Sequence, residues 1–182
     1  MKRICLLICA SIFCFMGVAQ SKEECKPFEF LLDIENINVI LDYTDADIAF
    51  MDFEKFVEFQ NEDYRSWSFV EKEWKSKFLK EMNEILGKKN IKVGANKDFD
   101  YSILIKFKII TANGNISCVC KVINQDGEDI GAHKYFYFIR GGVIGDMVNL
   151  MGDGHEHLGE ELGRFLSIMK ERLEYFKKKG TL

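Results

Sequence analysis

Asp146, Asn149, Asp153 and His155 are the side chains in this sequence whose types and spacing come closest to a chemical site. They lie in the run Gly141 to Gly163, GGVIGDMVNLMGDGHEHLGEELG, which holds seven of the 14 glycines of the chain. Glycines ahead of a helix can cradle phosphate with backbone N–H groups. Here the run lacks the Gly-Lys-Ser/Thr end of a P-loop, and Gly141-x-x-x-Gly145 is not a dinucleotide fingerprint. The reading that fits is a loop that leaves the last strand, turns sharply and lays Val143, Ile144, Met147, Val148, Leu150 and Met151 against the sheet edge or a partner. Gly141, Gly142, Asp146, Asn149, Asp153 and His155 are therefore candidate ligand- or partner-binding residues.

The same run places His155 and His157 beside Asp153 and Glu156. An H-x-H pair suits a strand rather than a helix start, and it has no third ligand here. Cys118, Cys120 and His133 would form a second grouping only in one hairpin register. No metal site and no cofactor are expected. No serine sits in a nucleophile elbow, and Ser117 falls mid-strand, so no catalytic residue is nominated.

The element that must position the loop is the stretch Asp100 to Ile139, which reads as three antiparallel strands. Its turns contain Asn113-Gly114 and Asp126-Gly127, the dipeptides that tolerate the positive φ angles of type I′ hairpins. A two-residue turn at Asn113-Gly114 sets Ile109 opposite Cys118, Phe107 opposite Cys120 and Ile105 opposite Val122, giving one apolar face. The other face carries Lys106, Lys108, Ser117 and Lys121, with Leu104, Ile110 and Val119. The same arithmetic at Asp126-Gly127 sets His133 opposite Cys120, unless a bulge near Gly131 reverses the phase.

Before the meander, Ile37 to Leu41 is a β-branched strand. The acids after it, Asp42, Asp45 and Asp47, lack the spacing of a calcium loop. Trp67, Val70, Trp74, Phe78, Met82 and Ile85 recur at helical spacing, with Ser66 or Ser68 as cap and Gly87 as stop. A last helix is read from Glu160 to Phe176. The fold class is α+β: an antiparallel meander sheet of about four strands, with two long amphipathic helices packed on one face. A parallel neighbour for the first strand is left open.

The N-terminus, MKRICLLICASIFCFMGVAQ, has two basic residues, an apolar run and the small residues Gly17 and Ala19 at cleavage spacing, as in a secretory signal peptide cut after Ala19. This gives a signal peptide over 1–19, a flexible lead-in over 20–36, one α+β domain over 37–176 and a basic tail over 177–182. No membrane span remains after cleavage. Loss of Lys2 and Arg3 lowers the 25 basic residues to 23 against 29 acidic ones, a formal charge of −6, which argues against nucleic acid as a partner. The three cysteines left, Cys25, Cys118 and Cys120, allow at most one internal disulfide.

The order strand, long helix, meander, glycine-rich turn and final helix resembles uncharacterised secreted domains of Gram-negative envelopes. More distantly it looks like the N-terminal domain of the Tol translocation protein and curli-secretion or transport-auxiliary lipoproteins. The likeness rests on Leu41-Asp42-Tyr43, Phe99-Asp100-Tyr101, the two turns, Gly141-Gly142 and Asn149 to Gly154. It departs from the lipoproteins in lacking a usable lipobox. The resemblance implies a non-catalytic, periplasmic or secreted module that acts by contact with an envelope protein. The alternative is an enzyme or small-ligand-binding protein using loop 141–159.

Overall fold

In the computed structural model the described residues are 22–63, 65–94 and 99–182, so the signal-peptide expectation for 1–19 lies outside them. Lys22–Cys25 form a short helix, α1, which runs into a 3₁₀ turn over Lys26–Leu32. Cys25, Phe28, Phe30 and Leu31 are buried there. This part of the expected flexible lead-in is thus packed, because its apolar residues face the last helix and Phe28 meets Phe165 edge-on at 5.3 Å.

The sheet has seven strands rather than about four, and it is mixed. β5 (Tyr101–Ile110) is central. On one side it pairs in parallel with β1 (Asn36–Asp42) and, further along, with β2 (Asp47–Ile48). β4 (Lys92–Gly94) extends the sheet beyond β1 in parallel, and β3 (Met51–Asp52) pairs with β2 in antiparallel fashion. On the other side β6 (Ile116–Asn124) and β7 (Asp129–Ile139) complete the antiparallel meander. The extra strands come from short segments whose few residues carry no alternation to read.

Both meander turns hold three residues, not two. Thr111 bonds Asn115 across Ala112 to Gly114, and Asn124 bonds Glu128 across Gln125 to Gly127. Gly114 and Gly127 supply the single left-handed residue such loops need, at φ 76° and 81°. The Thr111 hydroxyl accepts from Asn115 N–H, and the Asn124 side chain accepts from the N–H groups of Asp126 and Glu128. A register shift between Phe107 and Ile109 then sets Phe107 opposite Cys118 and Ile105 opposite Cys120. The displacement from the expected pairing is two residues, so Ile105, Phe107, Cys118 and Cys120 still share the buried face. Beyond the bulge the phase flips: Ile110 is buried and Ile109 exposed. In β7 a shift near Gly131 sets Lys134 opposite Cys120, sending His133 to the outer face, where its ring meets Asp129 at 2.7 Å.

A two-residue turn does occur, between Ile48 and Met51, and its residues are Ala49 and Phe50 at φ 52° and 67°. Neither side chain suits that conformation.

After α2 (Phe53–Asp63), α3 (Trp67–Leu86) follows Ser66 and buries Val70, Trp74, Phe78, Met82 and Leu86 at every fourth residue. The last helix, α4, runs Met147–Lys178, beginning thirteen residues before the expected Glu160. Asp146 starts it by accepting from Asn149 N–H at 2.9 Å. Four of the seven glycines read as a loop, Gly152, Gly154, Gly159 and Gly163, lie on a contact face of this helix, and Gly141, Gly142 and Gly145 precede it. A Cβ on Gly154 would lie 2.0 Å from the Gly114 carbonyl oxygen, and one on Gly159 would lie 2.3 Å from that of Phe78. Inward residues of β5 and β6 and the stripes of α3 and α4 join in one core.

Gly87 has open space around it and a helical φ of −58°. Gly159→Ala should therefore lower stability in urea by roughly 2–3 kcal/mol through backbone displacement, whereas Gly87→Ala should be neutral or add up to about 1 kcal/mol. Equal effects of the two changes would contradict the close approach. Phe50→Gly should raise stability by about 1 kcal/mol, and a loss in the same urea titration would contradict the left-handed turn.

Candidate functional site

Two polar regions are brought together by α4, one inside the core and one at its surface. His155 belongs to the first and has no exposed surface. Its Nδ1 lies 2.7 Å from the Met151 carbonyl oxygen one turn earlier, so this nitrogen carries the proton and donates. Nε2 is then the acceptor, and the Tyr43 hydroxyl donates to it across 3.0 Å. Tyr43 follows directly on β1, so this bond ties the end of a strand to the final helix. The rings around the pair are aromatic: Trp74 stacks on His155 at 4.6 Å, and Phe107 lies parallel to Tyr43 at 4.5 Å. The Trp74 indole donates to the Val148 carbonyl oxygen at 3.1 Å.

Burial holds the His155 imidazole down to about 4, with the Met151 hydrogen bond opposing and the Lys77 charge assisting. Burial also pushes the Tyr43 hydroxyl well above its usual range. A neutral pair sealed from solvent positions helix against strand; it offers no exposed base or nucleophile to a substrate.

The second region is an open groove of about 830 Å3 between the end of β7 and the first turns of α4. Phe136, Phe138 and Arg140 line one wall, and Asp153, Glu156 and Glu160 line the other. Gly141 and Gly142 also line it, Gly141 against the β5–β6 turn and Gly142 against α4. A Cβ on Gly141 would meet the Asn113 carbonyl oxygen at 1.9 Å, and one on Gly142 would meet the Asp153 carboxylate at 2.5 Å. Their N–H groups are used, Gly141 donating to the Asn115 side chain and Gly142 to the Leu150 carbonyl. Asp153 is held by Lys77 of α3 at 2.8 Å. Lys134 points inward, its ammonium 4.8 Å from the Phe165 ring centre.

Of the six candidate residues, Gly141, Gly142 and Asp153 border this groove, while Asp146 and Asn149 form the capped start of α4 and His155 faces the core. They do not converge on one cavity. His157 turns away from His155 and meets the Arg140 carbonyl oxygen at 2.8 Å. Cys118 and Cys120 lie on the buried face, opposite to His133, and Cys25, Cys118 and Cys120 are free thiols. Among the described residues no three His, Cys, Asp or Glu side chains gather as a metal site, and no helix is long and apolar enough to cross a membrane. The partnership of Tyr43 with His155 went unread in the sequence because the two are 112 residues apart. Tyr135 and Tyr137 reach the outer face through the same register shift near Gly131 that turns His133 outward.

No protein-family model matches the chain, and comparison with curated proteins and with solved structures gives no significant match.

The buried imidazole sets an acid limb for stability. Its folded value lies below that of the unfolded chain, about 6.5, so unfolding takes up a proton between the two. Stability should be level above about pH 6.5 and fall as pH drops toward 4, by up to about 3 kcal/mol in all. Asp129, held down to about 2 by the Gly131 N–H, His133 and Lys121, titrates in a lower window. Urea titrations of His155→Gln should lose the slope between pH 6.5 and 4; an unchanged slope would assign it to other groups.

Proposed function

We propose that this protein is a non-catalytic module of the cell envelope, periplasmic or secreted, that acts by contact with another protein. One observation carries the reading. From Tyr135 to Ile144 the chain presents Tyr135, Tyr137, Phe138, Val143 and Ile144 to solvent, with Tyr137 84% and Ile144 89% exposed. These five lie within ten consecutive residues, Phe138 and Val143 of them bordering the groove; isolated apolar side chains would call for no explanation, but a run of them does. Tyr135 and Tyr137 stack on one another at 6.4 Å, which pre-arranges a flat aromatic surface. Tyrosines of this kind supply contact area at small cost in side-chain freedom.

Export rests on the charged, apolar and small-residue pattern of residues 1–19, and an envelope role rests on the resemblance set out above. The alternative of an enzyme or small-ligand site in 141–159 loses support from the geometry. Asp146, Asn149, Asp153 and His155 serve as helix cap, first turn, interhelical ion pair and core hydrogen bond.

A photo-reactive amino acid at Tyr137 or Ile144, introduced in the producing cell, should give the same discrete protein adduct from both positions. The exposed Lys88, on the far end of α3, should give none. Absence of an adduct at both test positions, or an identical adduct from Lys88, would overturn the reading.

A further inference from the structure

We infer that the groove accepts an extended, lysine- or arginine-bearing segment of another protein, which adds as a strand to the edge of β7. This deepens the contact reading above and rests on it.

The main chain provides the first argument. Among the described residues β7 pairs only with β6, so its second edge has main-chain groups without a ladder partner. A free edge can take an extended peptide, with main-chain bonds giving affinity and flanking side chains giving choice. The Lys26–Leu32 turn packs toward the early half of β7, with Phe28 beside Ala132 and Lys134. The later half, Tyr135 to Ile139, leads straight into the open groove. Its pairing with β6 shifts between Phe136 and Ile139, so these two turn inward while Tyr137 and Phe138 are both exposed, and Phe138 borders the groove.

The side chains choose the occupant. On α4, Glu156 and Glu160 stand one turn apart on one side, separated by about 6 Å along the axis. Alternate residues of an extended chain are spaced by about 6.6 Å. A strand lying beside β7 could therefore present two basic side chains, i and i+2, to these two carboxylates, with the residue between them turned to the aromatic rim. Glu156 makes no ion pair among the described residues, and Glu160 is held only by the exposed Arg164 of the next turn. Asp153, one further turn back, is already neutralised by Lys77. Of the cations nearby, Lys134 is occupied with the rings of Phe136 and Phe165, Lys80 of α3 is bonded to Glu81, and Arg140 lines the groove without an ion pair to either carboxylate among the described residues. An acidic segment would meet Glu156 and Glu160 as like charges, so the wall discriminates as well as attracts.

The test uses the mature chain and three blocked heptapeptides: alternating Lys-Val, alternating Glu-Val, and the Lys-Val peptide N-methylated at alternate positions. The Lys-Val peptide should bind at least about tenfold more tightly than Glu-Val, with affinity falling as salt rises. Binding should slow amide exchange at Tyr135 to Ile139, and alternate N-methylation should abolish it. Glu156→Gln with Glu160→Gln, both at the surface, should weaken the Lys-Val peptide about tenfold. Equal affinity for the Lys-Val and Glu-Val peptides, or no binding at about 1 mM, would overturn the inference. So would sedimentation showing a second copy of this chain on the same edge. If adducts at Tyr137 persist while the Lys-Val peptide fails, the contact reading stands and strand addition falls. If no adduct forms, the contact reading itself falls.

Discussion

The structure depends on one close approach: backbone against backbone, where α4 meets α3 and the β5–β6 turn. At Gly154 and Gly159 the neighbour is a carbonyl oxygen, leaving no room even for a methyl group. At Gly152 and Gly163 the neighbours are side chains of α3, Trp74 with Lys77 and Ile85 with the Met82 backbone. The seam draws the two helices together over the sheet, and it brings the Gly114 turn, the Gly141 strand exit and the first turns of α4 to one point. Everything polar in the region follows from that meeting. The Lys77–Asp153 pair bridges the helices at their partly exposed edge, while the Trp74 indole and the Tyr43–His155 pair satisfy the polar groups left inside.

The inner and outer faces of α4 divide two tasks. Inside, His155 is locked as a neutral donor and acceptor between its own helix and the end of β1, a fixed peg rather than a reagent. Outside, Asp153, Glu156 and Glu160 form the wall of a groove whose opposite side is the end of an edge strand. The exposed apolar run from Tyr135 to Ile144 begins in that strand, so the exposed surface and the rigid core share the same elements. A site carried by a strand end and a 32-residue helix is held more firmly than one on a loop.

Much of the fold was legible because burial imposes periodicity. The α3 stripe from Val70 to Met82 and its start after Ser66 follow from spacing alone, with Leu86 rather than Ile85 completing it, and the apolar face of β5 and β6 survives a two-residue register change because such a change preserves facing. The same logic fails where one residue is added, as at Ile109 and Ile110, where a single bulge exchanged inside for outside. The glycine-rich run hides a helix start for a definite reason. Glycine is a poor helix former, and no rule of local sequence reveals that Gly154 and Gly159 each face a carbonyl oxygen far away in the chain. The Asn-Gly and Asp-Gly dipeptides mark where the turns fall but not their length, since Thr111 and Asn124 favour a longer loop through side-chain bonds that dipeptide statistics omit. The groove was partly visible, through Gly141, Gly142 and Asp153; its carboxylate wall needed the helix to begin early, at Met147.

The glycine seam also has a bearing on how this chain acquires its shape. Gly152, Gly154 and Gly159 leave the first half of α4 about 3 kcal/mol less inclined to form a helix than an alanine counterpart, and short helices in water have little margin to spare. That half owes its helicity to the surfaces it lands on. The groove wall is therefore only as permanent as the grip of α3 and the β5–β6 turn upon it, so a loosening at the seam would unravel that wall before it disturbed the sheet.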